Sequence, residues 1–150
     1  MTKPRILFVC TFFGGRARIA ELYAMQMAQE QVEAFSSGFE AERLGGLPLE
    51  VMSEENLSLS IDPLTTIFER YANNQVFDYV ITLCNEASTE QCPVFRTSVD
   101  MVYGKDAEIR NWSVMDFITL QGLPVEKLEG AREIRDSIKD NVSEFLLEIL

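Results

Sequence analysis

Apolar residues fall along this chain in short blocks that switch between two periods. Ile6-Leu7-Phe8-Val9 is a continuous apolar run, the pattern of a strand buried on both faces of a parallel sheet. After Gly14-Gly15, residues 17–31 are rich in Ala, Leu, Met, Glu and Gln and hold neither Gly nor Pro, which predicts a helix. Ala34-Phe35-Ser36-Ser37 before Gly38 predicts a second, short strand. Residues 48–56 fit a short helix with Pro48 in its first turn. Thr65 or Thr66 can cap another helix through Tyr71, with Ile67, Phe68 and Tyr71 on one face. Residues 77–83, Phe-Asp-Tyr-Val-Ile-Thr-Leu, give the clearest strand, and residues 108–112 a weaker one. Ile134, Ile138, Val142, Phe145 and Ile149 form a sustained helical stripe with charges between them, so a final amphipathic helix is expected with that stripe as core.

Strands alternating with helices imply an α/β fold, a parallel sheet covered on both faces. The 150 residues suit a single domain, 1–150, with no repeat, low-complexity tract or linker. Thirteen Lys and Arg against 24 Asp and Glu leave a net charge of −11, which disfavours nucleic acid and anionic membrane as partners. The absence of His removes the Ser-His-Asp triad, His–metal sites and a His general base. Three Cys, an odd number, argue against a fully paired secreted framework. With no signal-peptide pattern at the N-terminus and no apolar run near the about 20 residues of a membrane span, a reducing, cytoplasmic setting is expected.

In open parallel sheets, ligands bind outside the carboxyl ends of the strands. Cys10 follows the first predicted strand and Cys84 follows the strand ending at Leu83, so both thiols belong to that edge. If the two strands are neighbours, about 4.8 Å apart, modest movement brings the sulfurs within bonding reach. Cys10-Thr11-Phe12-Phe13-Gly14-Gly15-Arg16 is a Cys, five residues and an Arg between a strand and a helix. Its five intervening residues can wrap with their N–H groups inward, and the helix N-terminus adds its dipole. Arg16 closes this anion cradle with a bidentate fork. In such a field the Cys10 thiol ionises below its ordinary value and becomes a nucleophile, and the same donors stabilise a transition-state oxyanion. A Cys at a strand end also fits a small buried hydrophobe.

The cradle, the following Ile19-Ala20-Glu21 and Ser36-Ser37-Gly38-Phe39-Glu40-Ala41 together resemble the low-molecular-weight tyrosine phosphatase superfamily. Val80-Ile81-Thr82-Leu83-Cys84-Asn85-Glu86-Ala87, Gln91-Cys92-Pro93-Val94-Phe95 and Asn111-Trp112-Ser113-Val114-Met115-Asp116 are similar to its thioredoxin-coupled arsenate reductase branch. The resemblance implies a three-layer sandwich with a four-stranded parallel sheet, an oxyanion site made of Thr11, Phe12, Phe13, Gly14, Gly15 and Arg16, and no cofactor. It further implies that Cys10 attacks arsenate while Asp116 acts as general acid, and that Cys84 and Cys92 pass the oxidation on as successive disulfides. A thioredoxin-like reductant would then be the partner.

Several positions depart from the family loop. Phe12 and Phe13 stand where it has Gly and Asn, Gly15 where it has an inner Cys, and Ala17 where it has Ser. Phe117 stands where Pro follows the acid. Losing the Asn removes a brace of the loop, although Glu21 and Ser36 remain. Losing the Ser hydroxyl should leave the Cys10 thiol less acidified, so weaker catalysis or a different substrate is expected. Two other functions stay open at this point: a phosphoester hydrolase using Cys10, Arg16 and Asp116 without redox cycling, and a non-catalytic relative that binds an oxyanion or a partner. Asp116 also fits a solvated loop charge, and Cys84 and Cys92 also fit core cysteines. Arg18 fits a helix surface charge as well as a group that draws an anion to an acidic protein, and Trp112 fits packing.

Overall fold

The computed structural model describes residues 2–11, 15–38, 45–85 and 92–150. Four strands, β1 (Arg5–Cys10), β2 (Glu33–Gly38), β3 (Tyr79–Leu83) and β4 (Glu108–Trp112), form one all-parallel sheet in the order β2-β1-β3-β4. Among the described residues five helices accompany them: α1 (Gly15–Ala28), α2 (Gly46–Ser53), α3 (Ile67–Ala72), α4 (Cys92–Tyr103) and α5 (Pro124–Ile149). A 3-10 turn, Phe117–Thr119, precedes α5. Among the described residues, no helix is long and apolar enough to cross a membrane.

The continuous apolar run of β1 is explained by burial on both sides. Ile6, Phe8 and Cys10 point to one face, Leu7 and Val9 to the other, and all five are fully buried. On the first face, Ile19 and Tyr23 of α1, Val51 and Met52 of α2 and Ile134, Ile138, Val142 and Phe145 of α5 complete the core. On the second, Ile67 of α3 and Phe95, Val99 and Tyr103 of α4 do so. The result is the three-layer α/β sandwich that the alternating pattern implies.

The C-terminal stripe is core as expected, with Ile149 only partly buried. Arg135 and Arg132 fix α5 against α2: Arg135 Nη1 donates to the Val51 carbonyl at 2.9 Å, and Arg132 Nη2 to Glu54 Oε2 at 2.7 Å. Trp112 is a packing residue, its ring 5.9 Å from Phe8 and 6.1 Å from Phe145.

Three expectations need adjusting. The first helix ends at Ala28, where Gln31 and Val32 both donate back to the Ala28 carbonyl and turn the chain into β2. Thr66 caps α3 by accepting from the Glu69 N–H at 3.1 Å, yet only Ile67 is buried, while Phe68 and Tyr71 stay about half exposed. Residues 92–103 form a helix that the sequence pattern did not announce.

Candidate active site

The strand order makes the site. The chain leaves β1 toward β2 and, after β3, proceeds outward to β4, so connections diverge above the carboxyl ends of β1 and β3. That divergence is the switch point where parallel sheets bind ligands. Cys10 is the last residue of β1, Cys84 follows β3, and α1 begins at Gly15, buried, with its N-terminus at the same edge.

Arg16 lies in the first turn of α1 and is 1% exposed. Its Nη1 donates to the Val114 carbonyl at 2.9 Å, and its Nη2 to Thr11 Oγ1 at 3.0 Å and Asp116 Oδ2 at 3.1 Å. One guanidinium thus joins the start of the loop after β1 to the loop after β4. Asp116 is 2% exposed, which sets aside its reading as a solvated charge. Its other oxygen accepts from the Ile118 N–H at 3.4 Å, capping the 3-10 turn, and its carbonyl accepts from Thr119 Oγ1 at 2.7 Å. In this arrangement the carboxylate is an acceptor, held by the arginine it would work beside.

Cys10 is a buried thiol, whereas Cys84 and Cys92 are joined as a disulfide with their Cα atoms 6.0 Å apart. The register pairs Cys10 with Leu83, and both pack with the core shared by α1 and α5. Cys84 is one residue further and packs with Cys92 in the α3–α4 core. Neighbouring strands therefore carry the thiols as expected, but on opposite faces of the sheet.

Ser36, Ser37 and Gly38 end β2 beside β1. Ser36 Oγ donates to Glu21 Oε2 at 3.1 Å, while Arg70 reaches the same strand end, donating to Ser37 Oγ at 2.5 Å and the Ser36 carbonyl at 3.0 Å. Burial raises the Glu21 carboxyl above its ordinary value, against the lowering effects of Ser36, Arg70 and Arg18. Ala17 is fully buried within the core. Arg18 is not a surface charge: it is 7% exposed. Of the expected oxyanion residues, Phe12, Phe13 and Gly14 lie outside the described residues, as do Phe39, Glu40, Ala41 and the stretch 86–91. Sequence reasoning missed Val114, whose carbonyl orients Arg16; no side-chain signal marks a backbone acceptor.

The sequence profile of the low molecular weight phosphotyrosine protein phosphatases matches residues 5–150. This chain belongs to that family. Among its relatives, the arsenate reductase of Oceanobacillus iheyensis is 27% identical over 145 residues, covering 97% of this chain and 96% of that protein. The arsenate reductase of Bacillus subtilis is 29% identical over the same span and coverage. A solved arsenate reductase in its oxidised state superposes with a TM-score of 0.75 at 22% identity, covering 97% of this chain and 98% of that one. The low molecular weight protein tyrosine phosphatase of T. tengcongensis gives 0.71 at 20% identity, over 99% and 100%. These structural likenesses fix the fold, and the family match with the arsenate reductases among the relatives bears out the resemblance read from the sequence.

Proposed function

We propose that this protein reduces arsenate to arsenite with its own thiols, through Cys10, Cys84 and Cys92. The observation that carries the reading is the pairing of a Cys84–Cys92 disulfide with a Cys10 thiol at the same switch point. A phosphoester hydrolase has no use for that pair. The arsenate reductases among its relatives support the same reading.

In this scheme arsenate enters above β1 and takes over Arg16 from Asp116. The Cys10 thiolate attacks arsenic, forming an As–S bond as an As–O bond breaks, and the oxygen departs as water after accepting a proton through Asp116. The Cys84 thiolate then attacks the Cys10 sulfur. An S–S bond forms, the As–S bond breaks, and its electron pair stays on arsenic, which leaves as arsenite. Cys92 attacks Cys84, releasing the Cys10 thiolate and leaving the Cys84–Cys92 disulfide. Two electrons from an external dithiol of the thioredoxin class return the pair to thiols. Every step uses a thiolate, so the chain's lack of His is no obstacle.

The test is steady-state turnover with arsenate, thioredoxin, thioredoxin reductase and NADPH. Arsenate-dependent NADPH consumption that disappears in C10S, C84S and C92S supports the scheme. Hydrolysis of p-nitrophenyl phosphate that survives in C84S and C92S, without NADPH consumption by the unmodified protein, makes the protein a phosphatase instead.

A further inference from the structure

Arg18 is the group that the scheme above leaves without work. It sits two residues beyond Arg16, about 200° further round α1, so the two guanidiniums leave the helix on opposite sides. Arg16 turns toward Val114 and Asp116. Arg18 lies within electrostatic reach of Glu21, Asp62 and the Cys10 thiol. Its side chain is buried, yet among the described residues its Nε and Nη2 have no hydrogen-bond acceptor.

A buried guanidinium with two bare N–H donors is costly, because desolvation is not repaid by hydrogen bonds. That cost is visible in the arginine itself: burial pulls its pKa down more than the neighbouring acids push it up. A carboxylate in contact would have relieved it, but Glu21 Oε2 is engaged by Ser36. The donors fit an oxygen-rich anion that presents its oxygens along one edge, as a tetrahedral oxyanion does.

We propose that Arg18 is the second guanidinium of the Cys10 anion site, donating from Nε and Nη2 to an oxygen of the bound oxyanion on the side remote from Arg16. The proposal rests on the oxyanion site of the preceding section and gives it a residue that the five-residue loop does not contain. It also supplies positive charge within electrostatic reach of the Cys10 thiol, at a helix start where Ala17 offers no hydroxyl. The ligand class is the tetrahedral dianion, arsenate or inorganic phosphate.

Inorganic phosphate, titrated calorimetrically into the oxidised full chain, is the probe, with thermal melting of each ligand-free variant alongside. R18Q should weaken phosphate binding about tenfold or more, the usual effect of losing a charged hydrogen bond. Its ligand-free form should melt no lower than the unmodified protein, since a buried charge without acceptors has gone. R18K, which keeps the charge and loses the fork, should fall between the two. Unchanged phosphate affinity in R18Q or in R18K, or a lower melting temperature with unchanged affinity, overturns the role of Arg18 and leaves the site reading standing. Failure of the unmodified protein to bind phosphate overturns the oxyanion site itself, and Arg18's part with it. If R18Q does not fold, equal phosphate affinity in R18K and the unmodified protein still overturns the proposal.

Discussion

Cys10 ends β1 and Cys84 follows the last residue of the adjacent β3, and the two pack on opposite faces of the sheet. Cys10 packs toward α1 and α5, and Cys84 packs with Cys92 against α4. The disulfide thus holds Cys84 on the face away from the thiol that the proposed relay has it attack. A bond between Cys10 and Cys84 can form only round the end of β3, after the link to Cys92 is broken. Reduction of that link is therefore a conformational step as well as a supply of electrons.

Because Cys92 is the first residue of α4, the disulfide pins that helix's first turn to the end of β3. Reduction should speed amide hydrogen exchange at residues 96–98, whose N–H groups face the carbonyls of the helix's first turn, by about tenfold or more, leaving residues 100–103 near their oxidised rates. Exchange mass spectrometry of the two forms reads this directly. Equal rates at residues 96–98 would mean that the helix start is held by packing alone.

The two distal cysteines should fail differently. C92S should release about one equivalent of arsenite per chain and then stop with Cys10 and Cys84 bonded. C84S should retain arsenic on Cys10 and release none. Arsenite yield with intact mass before and after reduction separates the two; the same yield from both variants would break the proposed order of attack.

Asp116→Ala should be costly to stability as well as to activity. Removing one member of a buried ion pair leaves the other charged and uncompensated, which costs about 3–5 kcal/mol. Both Arg16 and Asp116 are almost wholly enclosed. Urea unfolding should show the loss, and a stability change below about 1 kcal/mol would mean that the pair does not hold the site together.

Glu21 gives the pH prediction. Its carboxyl is raised above 4.5 in the folded protein. On acidification the folded state takes up this proton before the unfolded chain does, so this group's contribution to stability rises as pH falls through the folded value. Above that value the penalty is present in full. E21Q, which still accepts from Ser36 Oγ, should therefore melt higher at neutral pH, with the advantage shrinking toward pH 4.5. An advantage that stays constant with pH, or a lower melting point at neutral pH, contradicts the assignment.

Much of this was legible in the residues, for physical reasons. A strand buried on both faces must be apolar at every position, so β1 announces itself, and its Cys10 inherits the functional edge. The α5 stripe is readable because one helix face packs against the sheet. Helix α4 was missed because Val94, Thr97, Ser98, Val99 and Val102 weaken its local preference, while its signal lies in the spacing of Cys92, Phe95, Val99 and Tyr103 and in Pro93 at its start. The opposite facing of Cys10 and Cys84 depends on inter-strand register, which a single sequence does not carry. The burial of Arg18 likewise depends on tertiary neighbours, and its spacing from Arg16 places it on what reads as an outer face.

The central claim is that an oxyanion at Cys10 drives oxidation of the Cys84–Cys92 pair. The most direct measurement is a disulfide map by mass spectrometry of the fully reduced chain, under anaerobic conditions, with and without arsenate, beside C10S. The account predicts a Cys84–Cys92 bond that appears only with arsenate and is absent from C10S. A bond that forms equally without arsenate or in C10S, or no bond at all, would contradict it.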